Sequence, residues 1–255
     1  MTAPVATRET LPLGGFNLTA LRLEVRRVLR NRRTLMFVLV FPSVFYLIFS
    51  GTVRKNSGGS EALAYLMINM AVYGAMVGTT AGGAAVAVER SLGWSRQLRL
   101  TPLRPAAYVA MKILTAMTLG LVAIVAEFSV AAVTGVRVGA DVWLLAGLGA
   151  WLGSLVFAAF GLFMGFLLPS ENVMQFVGPV LAIMAMFGGL FIPIEMLPPA
   201  MRAVVVWSPV YGVAQIARAP LMGGLTASAV VSLILWTLVF GAGAMALFRR
   251  DTARV

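Results

Sequence analysis

Six stretches of this chain, 34–53, 62–88, 113–136, 142–168, 173–192 and 225–248, run apolar for 20 residues or more, and one charged residue, Glu127, falls inside them. At 1.5 Å of rise per residue, about 20 residues cover the roughly 30 Å of bilayer hydrocarbon. Each stretch is therefore long enough to span a membrane. In lipid the backbone must bond within its own segment, so these stretches have to be helices. The expected fold is an all-α polytopic membrane protein with six transmembrane helices, a six-span domain over 34–255 behind a polar tail, 1–16, and a short helix, 17–33. A chain with 60% hydrophobic and 11% charged residues is far from soluble usage.

What the chain lacks narrows its chemistry. It has no cysteine and no histidine. That removes disulfides, thiol nucleophiles, His-based triads and the usual zinc sets. Its nine acids, at 9, 24, 61, 89, 127, 141, 171, 195 and 251, are dispersed without a ligand-spaced pair, so neither catalytic residues nor a metal site are expected. The two lysines, Lys55 and Lys112, are not followed by Ser or Thr, and no phosphate loop can be drawn. A net charge of +11 would point to nucleic acid in a soluble protein, but here the basic residues sit between apolar runs and read as topology signals.

The start of the chain has no apolar core ahead of its basic cluster, and the first long run lacks a cleavage pattern, so it is expected to stay as an anchor. Over 17–33, Leu18, Leu21, Val25 and Val28 recur at helical spacing opposite Arg22, Arg26, Arg30 and Arg33. Two readings stand: an interfacial helix, or a basic flank that fixes orientation. With six spans, seven basic residues before the first run, five in 89–112 and three after the last share one side, 15 of the 20; Arg54, Lys55, Arg137, Arg202 and Arg218 take the other. Both termini are then expected in the cytoplasm.

Inside the second run, Gly74, Gly78 and Gly82 form a GxxxGxxxG stripe, extended by Ala71 and Ala85, along which another helix can approach closely. Asn69, Met70, Tyr73 and Met76 share that run and, with Gln175, Phe187 and Phe191 of the fifth, form a candidate substrate path. Methionine is adaptable enough for a permissive cavity, though it is also ordinary in lipid-facing helices. Glu127 has two readings as well. An intramembrane acid serves function by default, here in a proton- or ion-coupled carrier or channel, or it bonds a neighbouring helix.

The longest polar interruption, 89–112, carries Arg90, Arg96, Arg99, Arg104 and Lys112 against Glu89. Leu92, Trp94 and Leu98 lie on one side of a short amphipathic helix that should stop near Thr101; Pro102 disfavours helix before it and Pro105 suits the first turn of the next. On composition alone this is equally a solvated loop. The 193–224 stretch is broken by prolines, and its apolar part, 203–217, interrupted by Pro209, suits a re-entrant or interfacial piece better than a seventh span. It reads as a gate or as a fixed cap.

The order Glu89, Arg90, Gly93, Leu98, Arg99, Thr101, Pro102 and Lys112 resembles the cytoplasmic segment of type-2 permeases of ATP-binding-cassette exporters, with Ser91, Trp94 and Met111 where the family usually has Glu, Thr and Gly. Gly188, Gly189, Phe191, Pro193, Leu197, Pro198, Pro209 and Tyr211 follow the family's pattern after its fifth helix, with Ser208 in place of the usual Asn. The resemblance implies an elbow helix over 17–33 and a coupling helix in which Glu89, Arg90, Leu92, Trp94, Arg96, Leu98 and Arg99 meet an ATPase subunit. It further implies two permease copies and two ATPases, with ATP and Mg on the partner, exporting a drug, antibiotic, lipid or other amphipathic substrate across the plasma membrane by alternating access. A channel or carrier would need no ATPase. A membrane-embedded enzyme would need clustered catalytic groups, which the dispersed acids do not supply.

Overall fold

The computed structural model describes residues 15–56, 59–93 and 103–253, and among them it holds helices and turns without a strand. In chain order the helices are α1 (Leu18–Leu29), α2 (Arg32–Lys55), α3 (Ser60–Ala84), α4 (Val86–Ser91), α5 (Pro105–Val133), α6 (Ala140–Gly153), α7 (Leu155–Leu167), α8 (Val173–Phe187), α9 (Pro199–Val205), α10 (Pro209–Met222) and α11 (Ala227–Ala253). Caps separate the first two: Asn17 accepts from the Thr19 N–H at 2.8 Å and Asn31 from that of Thr34 at 3.3 Å. The 17–33 stretch is thus helical to Leu29, with α2 beginning at Arg32. α1 buries none of its residues fully and lies against α5.

Among the described residues, five helical units are long and apolar enough to cross a membrane: Arg32–Lys55, Ser60–Ser91, Ala106–Val133, Ala140–Leu167 and Ala227–Asp251. The apolar run at 173–192 differs from its expected length. It is helical for 15 residues, Val173–Phe187, or about 22 Å, short of the hydrocarbon thickness. Gly188 and Gly189 end it: Gly189 has φ +85°, the left-handed conformation that glycine adopts without strain, and the Leu190 N–H closes the turn on the Ala185 carbonyl at 3.2 Å. Beyond it, α9 and α10 meet at an 82° bend. Pro209 takes the first turn of α10, and the Ser208 hydroxyl accepts from the Tyr211 N–H at 3.2 Å. The 203–217 stretch is therefore two bent pieces, and α10 packs inside the bundle against α6, α11 and α3.

α3 is the central helix. Residues from Leu63 to Ala84 are buried on nearly every side, whereas α2 buries one stripe, Val38, Pro42, Tyr46 and Ser50, and turns Phe37, Val44 and Ile48 outward. Small residues make that central position possible. A Cβ on Gly82 would lie 2.8 Å from the Ala116 Cα of α5, and one on Gly83 would lie 2.6 Å from the Ala158 carbonyl oxygen and 2.7 Å from the Leu162 nitrogen of α7. Gly74 and Gly78 meet Pro42 and Val38 of α2 as well as Ala123 and Leu119 of α5, and Gly165 meets Ala84. The Gly74, Gly78 and Gly82 stripe is thus filled within one chain, as are Gly161 and Gly165 of α7. A second copy would have to use another surface.

Because the atoms facing Gly83 are backbone and cannot swing away, Gly83→Ala is expected to lower stability by about 1–3 kcal/mol. Gly51→Ala, with nothing within 4 Å of the new Cβ, is the control and should be neutral or stabilising. Thermal midpoints of the two variants in detergent check this; equal midpoints would contradict the packing described.

Candidate functional site

The C-terminal end of α4, the start of α5 and helix α1 bring five polar side chains together. Glu89, Tyr108 and Lys112 are each under a tenth exposed. Tyr108 and Lys112, four residues apart, project from one face of α5, and Glu24 and Arg27, three apart, from one face of α1. The Lys112 ammonium donates to Glu89 Oε1 at 2.6 Å and to Glu24 Oε1 at 3.1 Å. The Tyr108 hydroxyl donates to Glu89 Oε2 at 2.9 Å, and Arg27 bonds Glu89 Oε1 and pairs with Glu24 at 2.9 Å. Two carboxylates face two cations, so the cluster balances its charge. Partial burial works against the Arg27 charge and the Glu89 carboxylate outweighs it, raising the guanidinium pKa above its ordinary value.

The neighbouring Arg90 faces the other way. Its Nη1 donates to the Gly165 and Phe166 carbonyls at 2.9 and 2.8 Å, two of the otherwise orphaned carbonyls at the end of α7, and its Nε pairs with Asp251 of α11. Below it the Tyr108 ring stacks on Phe248 at 5.4 Å between centroids, and Phe248 meets Phe166 edge-on at 5.5 Å. The described chain on either side of 94–102 is thus fixed to α1, α7 and α11 through Glu89, Arg90 and Lys112. Leu92 is 77% exposed. Trp94, Arg96, Leu98 and Arg99 lie outside the described residues.

Of the candidate path residues, Asn69, Tyr73 and Phe191 come together. Asn69 Nδ2 donates to the Leu190 carbonyl at 3.1 Å, its Oδ1 has no partner among the described residues, and Tyr73 meets Phe191 edge-on at 5.1 Å, with Phe45 5.8 Å from Phe191. Met70 and Met76 are fully buried in the same core. Gln175 is exposed on α8, and Phe187 packs elsewhere, on Leu197, Val205 and Tyr211. Glu127 is 1% exposed; the Ser43 hydroxyl of α2 donates to its Oε2 at 3.0 Å, and its Oε1 has no partner among the described residues. Among the described residues no group of three acids could hold a metal ion.

The interior partners were beyond sequence reasoning. Ser43 and Glu127 are 84 residues apart, and no periodicity links them. Glu24 carried a usable signal, being the single acid in 17–33 and lying on the side of the helix away from Arg22, Arg26, Arg30 and Arg33.

A helical bundle with five to six membrane-crossing units and a charge-locked internal segment is a multi-pass membrane protein. The family model for ABC-2 type transporters matches residues 17–222, and the chain belongs to that family. It is also 28% identical over 191 residues, 74% of this chain and 78% of the relative, to a Bacillus subtilis (strain 168) protein named "Putative transport permease YvfS". The chain is a membrane transport permease.

Proposed function

We propose that this permease is the membrane subunit of an ATP-driven exporter, working as two copies with two separate ATPases that bind ATP and Mg, and moving a hydrophobic or amphipathic substrate. The observation that carries the reading is the locking of both ends of the 94–102 segment to the bundle through Glu89, Lys112 and Arg90. A force applied by an ATPase at Trp94 and Leu98 then moves α1, α5, α7 and α11 together, where a free loop would dissipate it. The balance of arginines supports cytoplasmic termini in the inner membrane. Asn69 and Tyr73, buried against Phe191, form an aromatic and amide cluster whose chemistry suits an amphipathic substrate, while the outward apolar residues of α2 and α8, such as Phe37, Ile48, Phe176 and Ile183, face lipid or a second copy. Affinity purification of the tagged chain from its native membranes tests the reading: a subunit with a phosphate loop should co-elute. Repeated recovery of the permease with no ATPase, in an assembly that still transports, would sink it.

The unpartnered oxygen of buried Glu127 favours one rival, a carrier driven by protons. The bond from Ser43 supports instead a structural carboxyl between α2 and α5. Glu127→Gln keeps a donor and an acceptor, so assembly and most transport should survive. Loss of transport with intact assembly, or uptake driven by a pH gradient without ATP, would move the assignment to the carrier.

A further inference from the structure

Arg218 of α10 stands at the end of the bundle opposite the Glu89 cluster, beside Tyr65 near the start of α3. It is 6% exposed, and every partner it has is neutral: the Ala214 carbonyl at 3.1 Å, the Gly189 carbonyl at 3.2 Å and the Tyr65 hydroxyl at 2.5 Å, with its guanidinium 5.1 Å from the centre of the Tyr65 ring. Among the described residues no carboxylate lies within ion-pair distance of it. A buried cation without a counter-ion is costly, so the position asks for an anion. Two donors are left for one. Nη2 bonds no described residue, and the Tyr65 hydroxyl, which accepts from Nη1, keeps its own proton to give. Both residues border a cleft of about 460 Å³, shared with Tyr211, Gln215 and the exposed Glu195, which is large enough for an oxyanion and the first part of whatever carries it.

We propose that this cleft binds a phosphate or carboxylate group, with Arg218 Nη2 and the Tyr65 hydroxyl as its donors. The anion comes from the headgroup of an amphiphile or as a free oxyanion; the donors recognise the chemistry the two share. The proposal needs neither an ATPase nor a transport assay, so its failure leaves the proposed function untouched.

The test uses the full chain purified in neutral detergent and titrated with dihexanoyl phosphatidylglycerol, with inorganic phosphate, and with uncharged dihexanoylglycerol. Binding is read by calorimetry and by the thermal midpoint. Phosphatidylglycerol should bind saturably and dihexanoylglycerol should not. Binding of inorganic phosphate at similar affinity assigns a free oxyanion, and binding of phosphatidylglycerol alone assigns a headgroup; either supports the site. Arg218→Gln should weaken binding about tenfold or more, Tyr65→Phe, which keeps the ring, several-fold, and Glu195→Gln should strengthen it by removing a like charge from the cleft. If Arg218→Gln does not fold, Tyr65→Phe decides, and unchanged affinity there overturns the proposal. Equal binding of dihexanoylglycerol overturns it too. So does a Glu195→Gln variant destabilised as much as Arg218→Gln with no anion bound by the wild type, which would make Glu195 the counter-ion.

Discussion

Lys112→Met should destabilise the folded chain by about 3 kcal/mol or more, because it leaves Glu89 buried and deprives two carboxylates of the cation they share. Breaking one side of a buried ion pair costs more than the pair itself contributes, since the remaining charge has lost its compensation. Arg27 still reaches Glu89 in the variant, which holds the effect to the lower end of that range. The double variant Glu89→Gln, Lys112→Met removes both charges and should recover more than half of the loss. Glu24→Gln, at a carboxyl 21% exposed and shared by Arg27 and Lys112, should cost about 1 kcal/mol or less. Unfolding midpoints in mixed detergent, taken as a double-mutant cycle, give the coupling directly. Additive effects of the two substitutions would mean that Glu89 and Lys112 do not act as a pair.

The second large effect is expected at Trp94 and Leu98. An ATPase that drives this permease must push on a segment between spans, and aromatic anchors commonly dominate such contacts. Truncating one costs about 2 kcal/mol, close to thirtyfold in affinity. Trp94→Ala with Leu98→Ala should therefore release the ATPase or let it hydrolyse ATP without transport, while insertion and helix packing stay intact. Arg104→Ala, at an exposed position just before α5, should do far less. Retained ATPase affinity in the double variant would shift the contact to 17–33.

The membrane-crossing helices were legible because span length is a property of composition over 20 or more consecutive residues, and so was the start of α5, where Pro105 is pre-formed for a first turn. The glycine stripe also announced close packing. Its neighbours could not be read: which helix lies over Gly83 depends on bundle topology, and the answer, α7, is some 75 residues away in the chain. The run at 173–192 read as one span because hydropathy does not register the turn at Gly188 and Gly189, although a Gly pair ahead of Pro193 was a visible stop signal. The charged cluster was hidden for a deeper reason. Glu89, Lys112 and Arg27 each had a sufficient local explanation, as topology charge or docking surface, and ion pairing between helices leaves no periodic trace. Glu89, expected at an ATPase contact, has both carboxylate oxygens occupied within the chain.

The most direct measurement of the central claim, that this permease is driven by ATP through the 89–112 segment, is uptake of a transported compound by inside-out vesicles holding the permease and its ATPase. Accumulation is expected with ATP, none with a pH gradient alone, and, for Trp94→Ala with Leu98→Ala, loss of accumulation in vesicles that contain the same amount of permease. Accumulation driven by a pH gradient without ATP, or unchanged ATP-driven accumulation in the double variant, would contradict that claim.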